Sequence, residues 1–118
     1  MSRFKAGDIL IADWREGASP REPNKLRPAV VVEDETLFDP DYPSILVVPL
    51  TSDSRLFVFG LTVTIDPEPE NGFETQCYAL APLVTSISAG RVRGTPSRIR
   101  PDQLSELRRR IAETIGIG

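Results

Sequence analysis

Apolar residues in this chain come in short runs broken by proline, glycine and polar clusters. The run Ala29-Val30-Val31-Val32 sets the pattern. Four consecutive apolar residues, three of them β-branched, suit a pleated and well-buried strand. The residues that lead into it are Lys25-Leu26-Arg27-Pro28. Pro28 fixes its own φ and pushes Arg27 toward an extended backbone, so a permanently charged side chain is held at the edge of the core. Such a guanidinium either donates several hydrogen bonds to a phosphate or caps the sheet edge with charge, and the residues alone leave both readings open.

The same grammar recurs along the chain. Lys5-Ala6-Gly7-Asp8 reads as a turn before a strand over Ile9-Leu10-Ile11-Ala12-Asp13-Trp14. Arg15 to Lys25, rich in proline and charge, reads as a long surface loop, a kind of segment that often carries binding function. The second strand is expected over Ala29 to Val32 or Glu33, and the third over Ile45 to Leu50, with Pro49 limiting ladder bonds near its end. Thr51-Ser52-Asp53-Ser54 follows as a hydroxyl-rich turn. Leu61-Thr62-Val63-Thr64-Ile65 alternates as a half-exposed strand does. Asp66 to Gly72 is a turn, Cys77 to Val84 a further strand bent or ended by Pro82, and Arg91 to Ile99 a short last strand.

One helix is expected, at the C-terminus. Pro101 fits the first helical position and Asp102 the first turn. Leu104, Leu107, Ile111 and Ile115 repeat at helical spacing, Arg108, Arg109 and Arg110 fall mainly on the solvent side, and Gly116 suits the cap. Short strands, a long early loop and a terminal helix predict a mainly β fold: a small, SH3-like antiparallel barrel with one C-terminal α-helix.

Composition bounds the function. At 118 residues, a single domain over 1–118 is expected. No apolar run approaches the roughly 20 residues needed to span a bilayer, and the N-terminus lacks a signal-peptide core, so no membrane association and a cytoplasmic location are the default expectations. With one cysteine, Cys77, there is neither an intramolecular disulfide nor a multi-cysteine metal site. Histidine is absent, which removes the commonest general base and metal ligand. Any catalysis must run on arginine, lysine, carboxylates, hydroxyls or backbone groups. A net charge of −3 does not argue for nucleic acid, although arginines gather after residue 90 while acidic residues gather at 33–41 and 66–74.

Taken in order, Gly7-Asp8-Ile9, the polar loop, Arg27-Pro28-Ala29-Val30-Val31-Val32 and Val47-Val48-Pro49-Leu50-Thr51-Ser52 resemble the MazF/PemK toxins. Asn71-Gly72-Phe73-Glu74, the strand from Cys77, Val84-Thr85-Ser86-Ile87, Arg91 and Ile99-Arg100-Pro101 extend the resemblance over nearly the whole chain. It implies a homodimeric barrel of the MazF/CcdB type, the toxin of a type II toxin–antitoxin pair, that cuts single-stranded RNA at short sequences. It also implies that no metal or other cofactor is needed, that the 2′-hydroxyl is the nucleophile, and that a cognate antitoxin is the protein partner. By motif, Arg27 and Thr51 are the catalytic positions, and Glu22 stands where the family places a loop glutamate.

The side chains suit those roles. Arg27 can stabilise charge developing on the phosphate oxygens but is a poor base. Thr51 can orient the nucleophile or a phosphate oxygen. Glu22 is the candidate base, or an ordinary exposed loop carboxylate. Lys25, Ser52, Ser54, Arg55, Thr85 and Ser86 are candidate RNA contacts. Trp14 either stacks on a base or belongs to the core or a dimer interface. One departure stands out: family members carry an acid, a glutamine, a hydrophobic residue and an arginine where this chain has Pro82-Leu83-Val84-Thr85. That loss keeps a second possibility open, a non-nuclease growth inhibitor on the same fold, such as a CcdB-type gyrase poison or an inactive relative.

Overall fold

The computed structural model describes residues 3–14 and 26–117. Seven strands are present: β1 (Asp8–Asp13), β2 (Leu26–Val31), β3 (Ser44–Thr51), β4 (Thr62–Ile65), β5 (Cys77–Leu80), β6 (Thr85–Ser88) and β7 (Val92–Arg98). A single α-helix, α1 (Pro101–Thr114), follows them. All pairings are antiparallel, in the order β4-β5-β3-β2-β1-β7, with β6 beside the first half of β3. The mainly β architecture with a terminal helix is as expected, and the strongly curled sheet is barrel-like without closing.

β3 organises the sheet. One of its edges carries β2 throughout the pairs Ala29↔Pro49, Val30↔Val48 and Val31↔Val47. Its other edge is shared: β6 pairs with Ser44 to Val47, and β5 pairs with Leu50 and Thr51. Side chains alternate across the sheet, so its two faces build two cores. Ile9, Val30, Val48, Leu50, Val63, Ile65, Ala79, Ile99 and Leu107 form the first, against which α1 packs. Leu10, Ala12, Ala29, Val31, Ile45, Val47 and Ile87 form the second, with Phe4, Trp14 and Val92 against it. The continuous apolar runs of β2 and β3 follow from burial on both faces.

Turns are held by particular residues. Gly7, at φ +93°, sits in the turn before β1, where its N–H donates to Val31 O (2.8 Å) and its carbonyl accepts from Ile99 N (2.9 Å). Positive φ is the conformation that glycine tolerates without steric cost. Between β4 and β5, the buried Asn71 accepts from the N–H groups of Glu68 (3.1 Å) and Phe73 (2.9 Å) and donates to Asp66 O (2.9 Å).

Two sequence expectations are corrected. The strand expected over Cys77 to Val84 stops at Leu80, and Ala81–Leu83 forms a single 3-10 turn. Pro82 has no N–H to continue the ladder. The chain turns there and starts β6, a strand that composition did not suggest, at Thr85. Ile115, expected on the apolar helix face, is 63% exposed and lies at the helix cap, ahead of Gly116 at φ +89°. Arg108 is not simply solvated either: its Nε and Nη2 donate to the carbonyls of Val32 and Glu33 (both 3.0 Å), tying α1 to the end of β2. Arg109 and Arg110 do lie among helix carboxylates, Glu106 and Glu113.

Candidate functional site

Arg27 and Thr51 lie on neighbouring strands. The β2–β3 ladder runs from Val31↔Val47 to Ala29↔Pro49, and each of the two residues stands two positions beyond its end, where β3 passes to β5. Side chains alternate along each strand. By that alternation both fall on the face lined by Ala29, Val31 and Val47. On the other side of β2, Arg27 pairs with Ala12, a fully buried residue of the second core. Arg27 is exposed and its Nη1 donates to Leu26 O (3.0 Å). The extended conformation expected from Pro28 is realised, since β2 begins at Leu26.

Thr51 is positioned by the turn after it. The Asp53 N–H donates to Thr51 Oγ1 (3.1 Å), so the hydroxyl oxygen is anchored and its proton is left for an acceptor beyond the turn. Asp53 is in turn gripped by Arg55. The Arg55 N–H, Nε and Nη2 donate to the carboxylate at 3.0, 3.0 and 2.8 Å. The forked side-chain contact, followed by the backbone bond, holds the Asp53 carboxyl below the usual carboxylate range and raises the Arg55 guanidinium. Arg55 therefore shapes the turn that seats Thr51, while its outer surface stays open to solvent. Ser52 and Ser54 are exposed on the same turn.

The remaining candidates fall into a second group. Trp14 packs against the second core, and its indole Nε1 is buried without a hydrogen-bond partner. Together with Asp13, Thr85, Ser86, Ile87 and Arg91 it lines a cleft of about 230 Å³. Thr85 sits opposite Val47, so it shares the face of Thr51 but lies four residues back along β3, about 13 Å at strand rise. Glu22 and Lys25 lie outside the described residues.

Of the run Pro82-Leu83-Val84-Thr85, only Pro82 and Leu83 line an apolar groove of about 190 Å³, with Leu56, Val58 and Leu80. Sequence inspection did not single out Tyr78. It lies on β5, where it is paired with Thr51. The only signal available beforehand was alternation within Cys77 to Leu80, which has meaning only once the partner strand is known.

Comparison with known proteins decides the family. The family model described as PemK-like, MazF-like toxin of type II toxin–antitoxin system matches residues 5–115. The chain belongs to this family. Its fold is that of MazF structures. MazF from Deinococcus radiodurans superposes with a TM-score of 0.75 at 18% identity, covering 99% of this chain and 100% of that one. An endoribonuclease in complex with its cognate antitoxin, from a mycobacterial species, gives 0.75 at 13% identity over 98% and 97%. The Mycobacterium tuberculosis toxin MazF-mt6 gives 0.70 at 19% over 94% and 98%. At such identities these three establish the fold. No curated protein matches the sequence.

Proposed function

We propose that this MazF-family toxin is a metal-independent endoribonuclease of single-stranded RNA, formed by one domain over residues 1–118. The placement of Arg27 and Thr51 at the ends of neighbouring paired strands carries the proposal, because it puts an exposed cation and an anchored hydroxyl on the same side of the sheet. In this scheme the 2′-hydroxyl attacks the adjacent phosphorus, the P–O5′ bond breaks, and a 2′,3′-cyclic phosphate and a 5′-hydroxyl result. Arg27 donates to the non-bridging oxygens as their charge grows. Thr51, its oxygen held by the Asp53 N–H, donates its proton to a phosphate oxygen and keeps the group in line. Glu22 is the base assigned to the 2′-hydroxyl proton, and water supplies the proton that the leaving 5′-oxygen takes up. Ser52, Ser54 and Arg55 bind the strand near Thr51, Trp14, Thr85 and Ser86 bind it further along, and Lys25 adds a cationic contact. The toxin acts as a homodimer in the cytoplasm, and a cognate antitoxin restrains it.

The test is incubation of the purified protein with RNA in excess chelator, followed by mapping of the new 5′ ends. Cleavage at short recurring sequences with 5′-hydroxyl ends is expected. Intact RNA at enzyme excess would refute the assignment. The apolar groove at Pro82 and Leu83 favours one competing function, a growth inhibitor that grips a protein target and leaves RNA whole. Growth arrest on expression without RNA cleavage would select it.

A further inference from the structure

Thr51 begins a cross-strand row that continues over β5 and β4. Thr51 pairs with Tyr78, and Tyr78 pairs with Thr64, so these side chains share one face. Ala79, the next residue, faces the first core, which confirms the outward direction of Tyr78. Phe57 meets the Tyr78 ring edge-on, with centroids 5.6 Å apart and planes at 73°. Ser54, Phe57, Thr64, Gln76 and Tyr78 line an open cleft of about 390 Å³. Phe57 is 40% exposed and Tyr78 half-buried, so two adjoining aromatic rings border solvent beside the candidate catalytic row.

Polar groups at the rim of this cleft are oriented. The Tyr78 hydroxyl donates to Gln76 Oε1 (3.0 Å), and Gln76 Nε2 donates to Asp66 Oδ1 (2.6 Å). Both ends of the Gln76 amide are thereby assigned. Its second N–H and second carbonyl lone pair remain for a ligand that offers an acceptor beside a donor. Nucleobases carry such an edge and a π-face, and proteins recognise unpaired bases by stacking on aromatic rings and hydrogen-bonding to those edges.

We propose that Tyr78 and Phe57 form a stacking subsite for the base next to the cleaved phosphate, with Gln76 reading that base's edge. This rests on the ribonuclease assignment above. Adjacent strands put Tyr78 about 5 Å from Thr51 at Cα, within one nucleotide of the phosphate that Arg27 and Thr51 would hold. Only a splayed-out base reaches the rings, so the subsite also accounts for a preference for single strands.

The experiment compares wild type, Tyr78→Phe, Tyr78→Ala and Gln76→Ala for steady-state cleavage, for cut-site sequence, and for binding of a short random-sequence 2′-deoxy oligonucleotide, which lacks the nucleophile. Tyr78→Ala is expected to raise KM and the oligonucleotide Kd by about 5- to 100-fold with kcat nearly unchanged. Tyr78→Phe keeps the ring and should stay near wild type in KM. Gln76→Ala, at an exposed position, is expected to relax base preference at one position flanking the cut. Unchanged KM in folded Tyr78→Ala, with unchanged cut sites in Gln76→Ala, overturns the subsite while the ribonuclease stands. Oligonucleotide binding that depends on Tyr78 in a protein that leaves RNA intact supports the subsite and removes the ribonuclease.

Discussion

At the scale of single residues, the candidate site depends on two side chains and the groups that hold them. In the proposed scheme Arg27→Ala removes the cation assigned to the developing charge, and a loss of about 100- to 1,000-fold in the cleavage rate is expected. Arg27→Lys keeps the charge but not the planar fork, so it should recover only part of that loss. Thr51→Ser retains the hydroxyl anchored by Asp53 and should remain active, whereas Thr51→Ala should not. Single-turnover cleavage of a labelled oligoribonucleotide measures all four, and full activity of Arg27→Ala would remove Arg27 from the mechanism. Asp53 supplies a pH-dependent prediction. Its carboxyl titrates below the ordinary range because Arg55 hydrogen-bonds its charged form. The contribution of that pair is therefore complete above the unfolded carboxylate pKa and is lost as pH falls through the lower folded value. An NMR titration of Asp53 should show a midpoint below that of the same carboxyl in the unfolded chain, and Arg55→Ala should move it upward.

At the scale of elements, polar residues inside turns and apolar residues on α1 determine stability. Asn71 satisfies two backbone N–H groups and one carbonyl in the β4–β5 turn. Asn71→Ala leaves those partly buried groups without their partner and should cost about 1 to 3 kcal/mol, measurable by urea unfolding. Leu107 is fully buried between α1 and the sheet. Leu107→Ala should cost about 2 to 5 kcal/mol, a cavity penalty that no exposed helix position shares. Ile115→Ala, at the exposed helix end, should stay within about 0.5 kcal/mol of wild type. These elements were largely readable in advance, because strand alternation and helical spacing are local patterns. The division of Cys77 to Ser88 into two strands was not, since Pro82 only forbids a ladder bond. Which edge of β3 the chain joins afterwards is set by pairing.

For the whole molecule, the main fact is that β1, β2 and β3 contribute to both cores. Neither core persists when those strands separate, so a single cooperative transition is expected. Trp14, the sole tryptophan, reports on the second core, and far-UV circular dichroism reports on α1 against the first. Coincident urea curves by the two probes would support one domain over the chain, and separated curves would refute it. Several arginines of this protein of net charge −3 are engaged with carboxylates: Arg3 with the buried Glu33, Arg100 with Glu68 and Asp102, and Arg110 with Glu106 and Glu113.

The residues themselves determined the class of fold and the two leading candidates of the site. Valine-rich runs bounded by proline and glycine leave little but short strands, and Arg27 before Pro28 and Thr51 after Leu50 sit in motifs whose order is visible in one dimension. Tertiary structure alone decided what lies beside them. Register, a relation between strands distant in sequence, put Arg27 on the strand beside that of Thr51 and set Thr51 opposite Tyr78. The same relation made a cleft of Phe57, Gln76 and Tyr78, residues no local pattern joins. Burial likewise turned Arg108 from a helix-surface charge into a tie to the carbonyls of Val32 and Glu33, because those groups need a donor at the place where α1 meets the sheet.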